Sequence, residues 1–183
     1  MPIAGKIEET VEVPQGVKLS RNGDVISVTG PNGAMEKRFQ DRRITIDIGE
    51  GEVRLFTALP SKGEKALLGT YRSHLRNMIQ GVQEDYTYKL KIVYSHFPMK
   101  VRTEGDHVVI ENFLGEGKPR KARVLGKTKV NIQSDIVTLS GPNKEDVGQT
   151  AANVEQATKI KKKDPRVFQD GIYIIEKAGN PIR

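Results

Sequence analysis

Lys18-Leu19-Ser20-Arg21-Asn22-Gly23-Asp24-Val25-Ile26-Ser27-Val28-Thr29-Gly30-Pro31-Asn32-Gly33 decides the fold, because its pattern returns 82 positions further along the chain. At that offset Lys18 falls on Lys100, Gly23-Asp24 on Gly105-Asp106, Ile26 on Val108, Val28 on Ile110 and Gly33 on Gly115. Pro60 falls on Pro142 by the same shift. A fixed internal period marks a repeated structural unit. Both copies run in one order: strand, tight turn, strand, loop, further short strands, then one helix. Strands in runs followed by a helix predict an α+β fold. Here that means two duplicated domains, each a small antiparallel β-sheet packed with one α-helix.

Local signals support each element. Residues 17–20 and 25–29 flank Asn22-Gly23, expected to form the centre of a hairpin turn with both residues at positive φ. Gly30-Pro31-Asn32-Gly33 is a second turn, leading into a strand over 34–39. Ile44, Ile46 and Ile48 alternate with polar residues before Gly49-Glu50-Gly51 turns the chain into a strand at 53–56. Ser61 and Glu64 stand at capping-box spacing ahead of Leu68, Tyr71, Leu75, Met78, Ile79 and Val82, a helical stripe that Gly81 is placed to end. In the second copy Leu90, Ile92 and Tyr94 alternate, and hairpins turn at Glu104-Gly105-Asp106 and Ser134-Asp135. Asn143 is placed to cap a helix whose Val147, Ala151, Val154 and Thr158 share a face. A final strand is expected over 172–176.

The two copies differ in charge. Residues 1–85 hold 12 Lys+Arg and 12 Asp+Glu, whereas residues 86–183 hold 18 and 11, so the entire formal charge of +7 belongs to the second copy. Net charge governs what a surface attracts rather than how it folds. Domain 86–183 is therefore expected to meet a polyanion, and the near-neutral domain 1–85 something else. The 183 residues accommodate two small domains. The lack of cysteine excludes a disulfide scaffold, a thiol nucleophile and a cysteine zinc site. No apolar run reaches membrane-spanning length and residues 1–6 lack a signal-peptide core, which predicts a soluble, cytoplasmic protein with no membrane partner.

Catalytic patterns are missing. His74, His96 and His107 have neither a second histidine nor a carboxylate at ligand spacing, so no metal or other cofactor is expected. There is no nucleophile elbow and no glycine-rich phosphate loop followed by Lys-Ser/Thr. Gly30-Pro31-Asn32-Gly33 superficially matches the clamp loop of KH RNA-binding domains, but that loop joins helices and this one joins strands. Glu50 and Glu52 read as a solvated strand face. An enzyme, and with it a small-molecule substrate, is not predicted.

Three basic segments carry the polyanion argument. Lys118, Arg120, Lys121, Arg123, Lys127 and Lys129 lie within twelve residues that contain no carboxylate. Gly115, Gly117 and Pro119 make the start of this stretch an extended or flexible loop. Lys159, Lys161, Lys162, Lys163 and Arg166 follow the second helix. Ser140-Gly141-Pro142-Asn143-Lys144 stands at that helix's start, where free N–H groups and the helix dipole favour phosphate. Gln149, Asn153 and Gln156 add amides to the helix's outer side, suited to sugar hydroxyls and phosphates. One such cluster would serve equally as a solvated surface. Three on the copy that holds all the net charge point to phosphate contact.

With these segments in place, the chain resembles the large-subunit ribosomal protein L-six family in its archaeal and eukaryotic form. The most specific likeness is the order Gln156, Ile160, Lys163, Arg166, Phe168, Asp170-Gly171-Ile172-Tyr173 and Glu176-Lys177. His96-Phe97-Pro98, Asn112-Phe113-Leu114-Gly115-Glu116 and Ser140-Gly141-Pro142-Asn143-Lys144 add to it, and Gly30-Pro31-Asn32-Gly33 with its helix extends it to the first copy. The Tyr-Lys-Gly-Lys-Gly type of ending of bacterial members is replaced here by Asp170-Gly171-Ile172-Tyr173 and a short tail. The resemblance implies two duplicated domains on large-subunit rRNA, near the sarcin–ricin stem-loop and the stalk base, with the C-terminal domain supplying most RNA contact. The first domain would then face solvent or neighbouring ribosomal proteins. Low aromatic content agrees with phosphate and 2′-hydroxyl contacts rather than stacking. The competing readings are a free-standing RNA-binding module, a protein-interaction scaffold using the first domain's edge strands, and a basic enzyme.

Overall fold

The computed structural model describes residues 5–40, 43–49, 51–58, 60–161, 163–164 and 166–182, which leaves Glu50 and Lys162 outside the described residues. The chain divides into two compact units, residues 1–84 and 85–183. The first contains strands β1 (Lys6–Glu12), β2 (Lys18–Asn22), β3 (Val25–Gly30), β4 (Gly33–Arg38), β5 (Thr45–Ile48) and β6 (Glu52–Ala58), then helix α1 (Lys62–Gly81). The second contains β7 (Tyr86–Val93), β8 (Lys100–Glu104), β9 (His107–Glu111), a 3₁₀ turn at Phe113–Gly115, β10 (Arg120–Arg123), β11 (Lys129–Gln133), β12 (Ile136–Gly141), helix α2 (Lys144–Ala157), β13 (Gly171–Lys177) and β14 (Asn180–Pro181).

Pairing makes the duplication explicit. The first unit has sheets ordered β1-β6-β5 and β2-β3-β4, and the second has β11-β12-β7-β13-β14 and β10-β9-β8. Thus β7-β12-β11 repeats β1-β6-β5, and β8-β9-β10 repeats β2-β3-β4. The second unit then adds β13 and β14 along the side of β7 that β1 leaves open. Every pairing is antiparallel. The fold is α+β, as the order of elements predicts.

Four local expectations change. Asn22 pairs with Val25, so the turn centre is Gly23-Asp24 and only Gly23 takes a positive φ, +63°. Glycine at the first central position meets that demand without strain. The matching turn at Gly105-Asp106 has Gly105 at +56°. Strand β1 is unforeseen, since its seven residues bury Val11 alone. Tyr94 does not continue the alternation of Tyr86, Tyr88, Leu90 and Ile92, because β7 ends at Val93 and leaves Tyr94 exposed. Gly81 stays within α1, and Val82 is the cap.

Each unit closes around its own core. In the first, α1 lays Leu68, Leu75 and Met78 against Val53, Leu55 and Val28. Full burial of each such side chain contributes about 1.5–3 kcal/mol. Ser61 and Glu64 form the expected capping box, Ser61 Oγ accepting the Glu64 N–H at 3.3 Å and Glu64 Oε2 accepting the Ser61 N–H at 2.7 Å. The second core joins Leu90, Ile92, Val137, Leu139 and Ile172 of the five-stranded sheet to Val147, Ala151 and Val154 of α2.

Candidate nucleic-acid interface

Helix α2 positions the basic segments. Asn143 starts it, its Oδ1 accepting the Glu145 N–H at 3.1 Å while its Nδ2 donates to Asp146 Oδ2 at 2.9 Å. With Val147, Ala151 and Val154 turned inward, Gln149 and Gln156 remain exposed on the outer flank, beside β10. Among the described residues the edge of β10 away from β9 has no strand partner, and side chains of the helix reach it instead. Asn153 Nδ2 donates to the Arg123 carbonyl at 2.9 Å, Thr150 Oγ1 accepts the Leu125 N–H at 3.0 Å, and Arg120 Nη1 donates to the Ala157 carbonyl at 2.8 Å. The first bond satisfies a β10 backbone carbonyl, the second a backbone N–H just past the strand, and the third ties the Arg120 side chain to the helix end. On β10, Ala122 is buried and Lys121 and Arg123 are exposed, as strand alternation requires.

The result is one flank rather than separate loops. Lys127 lies in the turn beside the helix start, Lys121 and Arg123 run along the middle, and Lys159, Lys161, Lys163 and Arg166 continue past the helix end, all exposed. Lys118 is exposed on the approach to β10. A 14-residue helix extends this surface for about 21 Å.

Not every expected residue faces that surface. Arg120 is internally bound: Nε and Nη2 donate to Glu116 at 2.8 and 2.6 Å, Nη1 reaches the Ala157 and Lys159 carbonyls, and the guanidinium lies 4.3 Å from the Phe113 ring centre. It pins the loop to the end of α2, and holds the Glu116 carboxyl below the usual range through its hydrogen bond. Gly141 is buried, and a Cβ there would lie 3.1 Å from Val147 Cγ2 and 3.4 Å from the Lys127 carbonyl oxygen. Its smallness serves internal packing, which corrects the expectation that a phosphate approaches it. Pro142 and Lys144 are half-buried, with the Lys144 ammonium 5.7 Å from the Tyr86 ring centre, and Glu145 and Asp146 already occupy the first helical turn. Those carboxylates complement the helix dipole and repel an incoming anion. Asn153 gives its amide to Arg123, and its Oδ1 accepts from Gln149 Nε2 at 3.0 Å. Lys129 leaves the group altogether, because it pairs with Ser140 on the sheet face opposite α2. Lys162 lies outside the described residues.

Arg120 and Lys121 therefore separate in an experiment. Arg120→Gln is expected to lower stability by about 1–2 kcal/mol, since its partly exposed ion pair is screened but its carbonyl contacts are lost. Lys121→Gln should leave the unfolding midpoint in place and reduce the salt dependence of RNA binding by about 0.7–0.9 in log K per log salt. Denaturant titration and binding at several salt concentrations check both.

A sequence profile of ribosomal protein L6 matches residues 13–85 and 97–171, one stretch for each copy. The chain belongs to the ribosomal protein L6 family. It is 53% identical over 173 residues to the large ribosomal subunit protein uL6 of Methanosarcina mazei, covering 94% of this chain and 98% of that one. The protein of the same name from Archaeoglobus fulgidus is 49% identical, covering 93% and 89%, and that from Methanobrevibacter smithii is 50% identical, covering 97% and 99%. L6 is a structural, non-enzymatic family.

Two of the L6-like segments, the one with His96 and the one with Lys163, Phe168 and Asp170, meet at one corner of the second unit, which sequence spacing did not reveal. His96 has a carboxylate partner after all: its ring Nδ1 lies 3.0 Å from Oδ1 of Asp170, and its backbone N–H donates to Oδ2 at 3.3 Å. Asp170 is fully buried. Burial pushes its carboxyl up, but the His96 ring and the backbone N–H groups of His96 and Ser95 together outweigh this and hold it below its usual value. The His96 ring packs on Phe168 with centroids 4.8 Å apart, and the Lys163 ammonium lies 4.4 Å from the Phe168 centroid. Among the described residues no group of three or more His, Cys, Asp or Glu could hold a metal. No helix among them is long and apolar enough to cross a membrane. The only sequence signal for this corner was the presence of its segments in the L6-like pattern, 74 residues apart.

Proposed function

We propose that this chain is a structural constituent of the large ribosomal subunit, in the cytoplasm, binding large-subunit rRNA near the sarcin–ricin stem-loop and the stalk base. It supports the elongation-factor binding region by rigid positioning. The observation that carries the RNA part is the flank along α2 and β10, where Lys121, Arg123, Lys127, Lys159, Lys161, Lys163 and Arg166 are exposed together. Lys118 extends it, Gln149 and Gln156 supply amides, and Arg120 and Asn153 hold the flank in shape. Cations held on a strand and beside the two ends of a rigid helix neutralise successive phosphates without reading base edges, which suits compact rRNA. The near-neutral first unit meets neighbouring large-subunit ribosomal proteins.

Chemical footprinting on intact large-subunit RNA, with and without the chain, tests this. Protections at the sarcin–ricin stem-loop and stalk base are expected. Protections confined to other helices would overturn the placement. A chain that binds short RNAs equally well and does not sediment with large subunits would be a free-standing RNA-binding module instead.

A further inference from the structure

The face of the five-stranded sheet that points away from α2 is also basic, and nothing in the α2 flank accounts for it. Register defines its membership, because directly opposed residues of an antiparallel pair share a face. Lys129 pairs with Ser140, Asn131 with Thr138 and Gln133 with Ile136, while Thr138 pairs with Lys89 and Ile136 with Lys91. Across β7, Lys91 pairs with Tyr173 and Lys89 with Glu176. The alternate residues Leu90, Val137 and Leu139 are those buried under α2. The outward set is thus mainly lysine, hydroxyl and amide, with Ile136 half-buried among them and one exposed ring, Tyr173, whose hydroxyl donates to the Gln169 carbonyl at 3.0 Å. Glu176 is its one carboxylate, and Lys89 neutralises it at 2.9 Å. Lys91 and Lys129 are exposed, and the residues directly opposite them, Ile136 and Tyr173 for Lys91 and Ser140 for Lys129, are not carboxylates.

The duplication supplies an internal control. The corresponding face of β1-β6-β5 presents Glu8, Glu12, Glu52 and Asp47 against Lys6 and Arg54. Its cations are tied to its own carboxylates, Lys6 to Glu8 and Arg54 to Glu52. One sheet layer, built twice in one chain, is therefore acidic and self-paired in the first unit and basic with spare lysines in the second. A merely solvated face needs no such change of sign. A face offering cations, hydroxyls, amides and one open ring fits RNA, whose phosphates, 2′-hydroxyls and bases those groups respectively meet.

We propose that this sheet face is a second RNA-binding surface, so that the second unit is held between two RNA segments, one on the α2 flank and one on the sheet. The proposal rests on the rRNA-binding reading above and adds a bridging role to it. The natural absence of cysteine permits its test. Asn131→Cys on the sheet face, Gln149→Cys on α2 and Thr45→Cys on the first unit's sheet face would each carry a tethered iron chelate. Hydroxyl-radical cleavage of rRNA is then mapped in large subunits assembled with each variant. Strong cleavage from residues 131 and 149 at separate RNA elements, and weak cleavage from residue 45, is expected. Cleavage from 149 without 131, or from both at the same nucleotides, overturns bridging while leaving the RNA reading intact. Cleavage from neither defeats the RNA reading itself. As an independent measure, Lys91→Gln with Lys129→Gln should reduce the salt slope by about 1.4–1.8, two contacts' worth. An unchanged slope overturns the proposal.

Discussion

Reversing four cations of the second unit, Lys121→Glu, Arg123→Glu, Lys159→Glu and Lys161→Glu, is expected to weaken binding to large-subunit rRNA by at least two to three decades at about 0.15 M salt. The magnitude follows from counterion release. Each phosphate contact contributes about 0.7–0.9 to the slope of log K against log salt, which at that salt is roughly 0.6–0.7 of a decade relative to 1 M. Four lost contacts give roughly the lower bound, and repulsion by the new carboxylates adds to it. All four side chains are exposed, so the fold should survive, with an unchanged circular-dichroism spectrum. The matched control reverses Lys18, Arg38, Lys62 and Lys65 on the first unit, also exposed. Both sets alter the net charge equally, yet the control should lose less than about tenfold, because charges that do not contact the RNA are screened over a Debye length of about 8–10 Å. Equal losses from the two sets would show that only total charge matters, and the division of labour between the units would fall.

The repeat and the charge split were legible because both are properties of the whole chain. An offset that lays Gly23-Asp24 on Gly105-Asp106 survives errors about any single turn, including the misplacement of the turn centre at Asn22-Gly23. Strand β1, by contrast, lies in an otherwise polar segment. That strand buries one side chain and so leaves little hydrophobic periodicity to find. Within the site, a linear cluster could not distinguish cations by direction. Lys121 and Arg123 reach solvent, Arg120 turns inward onto Phe113 and the end of α2, and Lys129 emerges on the opposite face of the sheet. Strand alternation alone sends Arg120 and Lys121 to different sides. Glycine before a helix, as at Gly141, serves equally for anion approach and for close packing. Only the neighbouring Val147 and Lys127 backbone decide which. Low aromatic content was likewise a poor guide to stacking capacity, since Tyr94, Phe97 and Tyr173 are all exposed on the basic unit. The His96–Asp170 pair had no local signature, because tertiary pairing over 74 positions leaves none.

Asp170→Asn is expected to destabilise the chain by about 2–3 kcal/mol, the range for losing hydrogen bonds to a buried charge. The carboxylate accepts from the His96 ring and from the backbone N–H groups of His96 and Ser95. An amide presents a donor to at least one of those donors, at a position that is itself fully buried. The sign of the pH dependence follows from the depressed folded pKa. In the unfolded chain an aspartate titrates near about 4, and in the folded chain Asp170 titrates lower. Its contribution is therefore fully present above the unfolded value and is lost as pH falls through the folded one. Denaturation midpoints should differ most between wild type and variant near neutrality and converge on acidification below about pH 4. A constant difference across that range would mean that packing, not the ionised pair, was lost. RNA binding adds a second readout. His96 carries Phe168, and Phe168 carries Lys163, so the variant should loosen the segment that presents Lys163 and Arg166 while retaining every cation. Affinity should fall with no loss of salt slope, the mark of a misplaced surface rather than a missing contact. Affinity equal to wild type at temperatures where the variant is folded would show that this corner holds the fold alone.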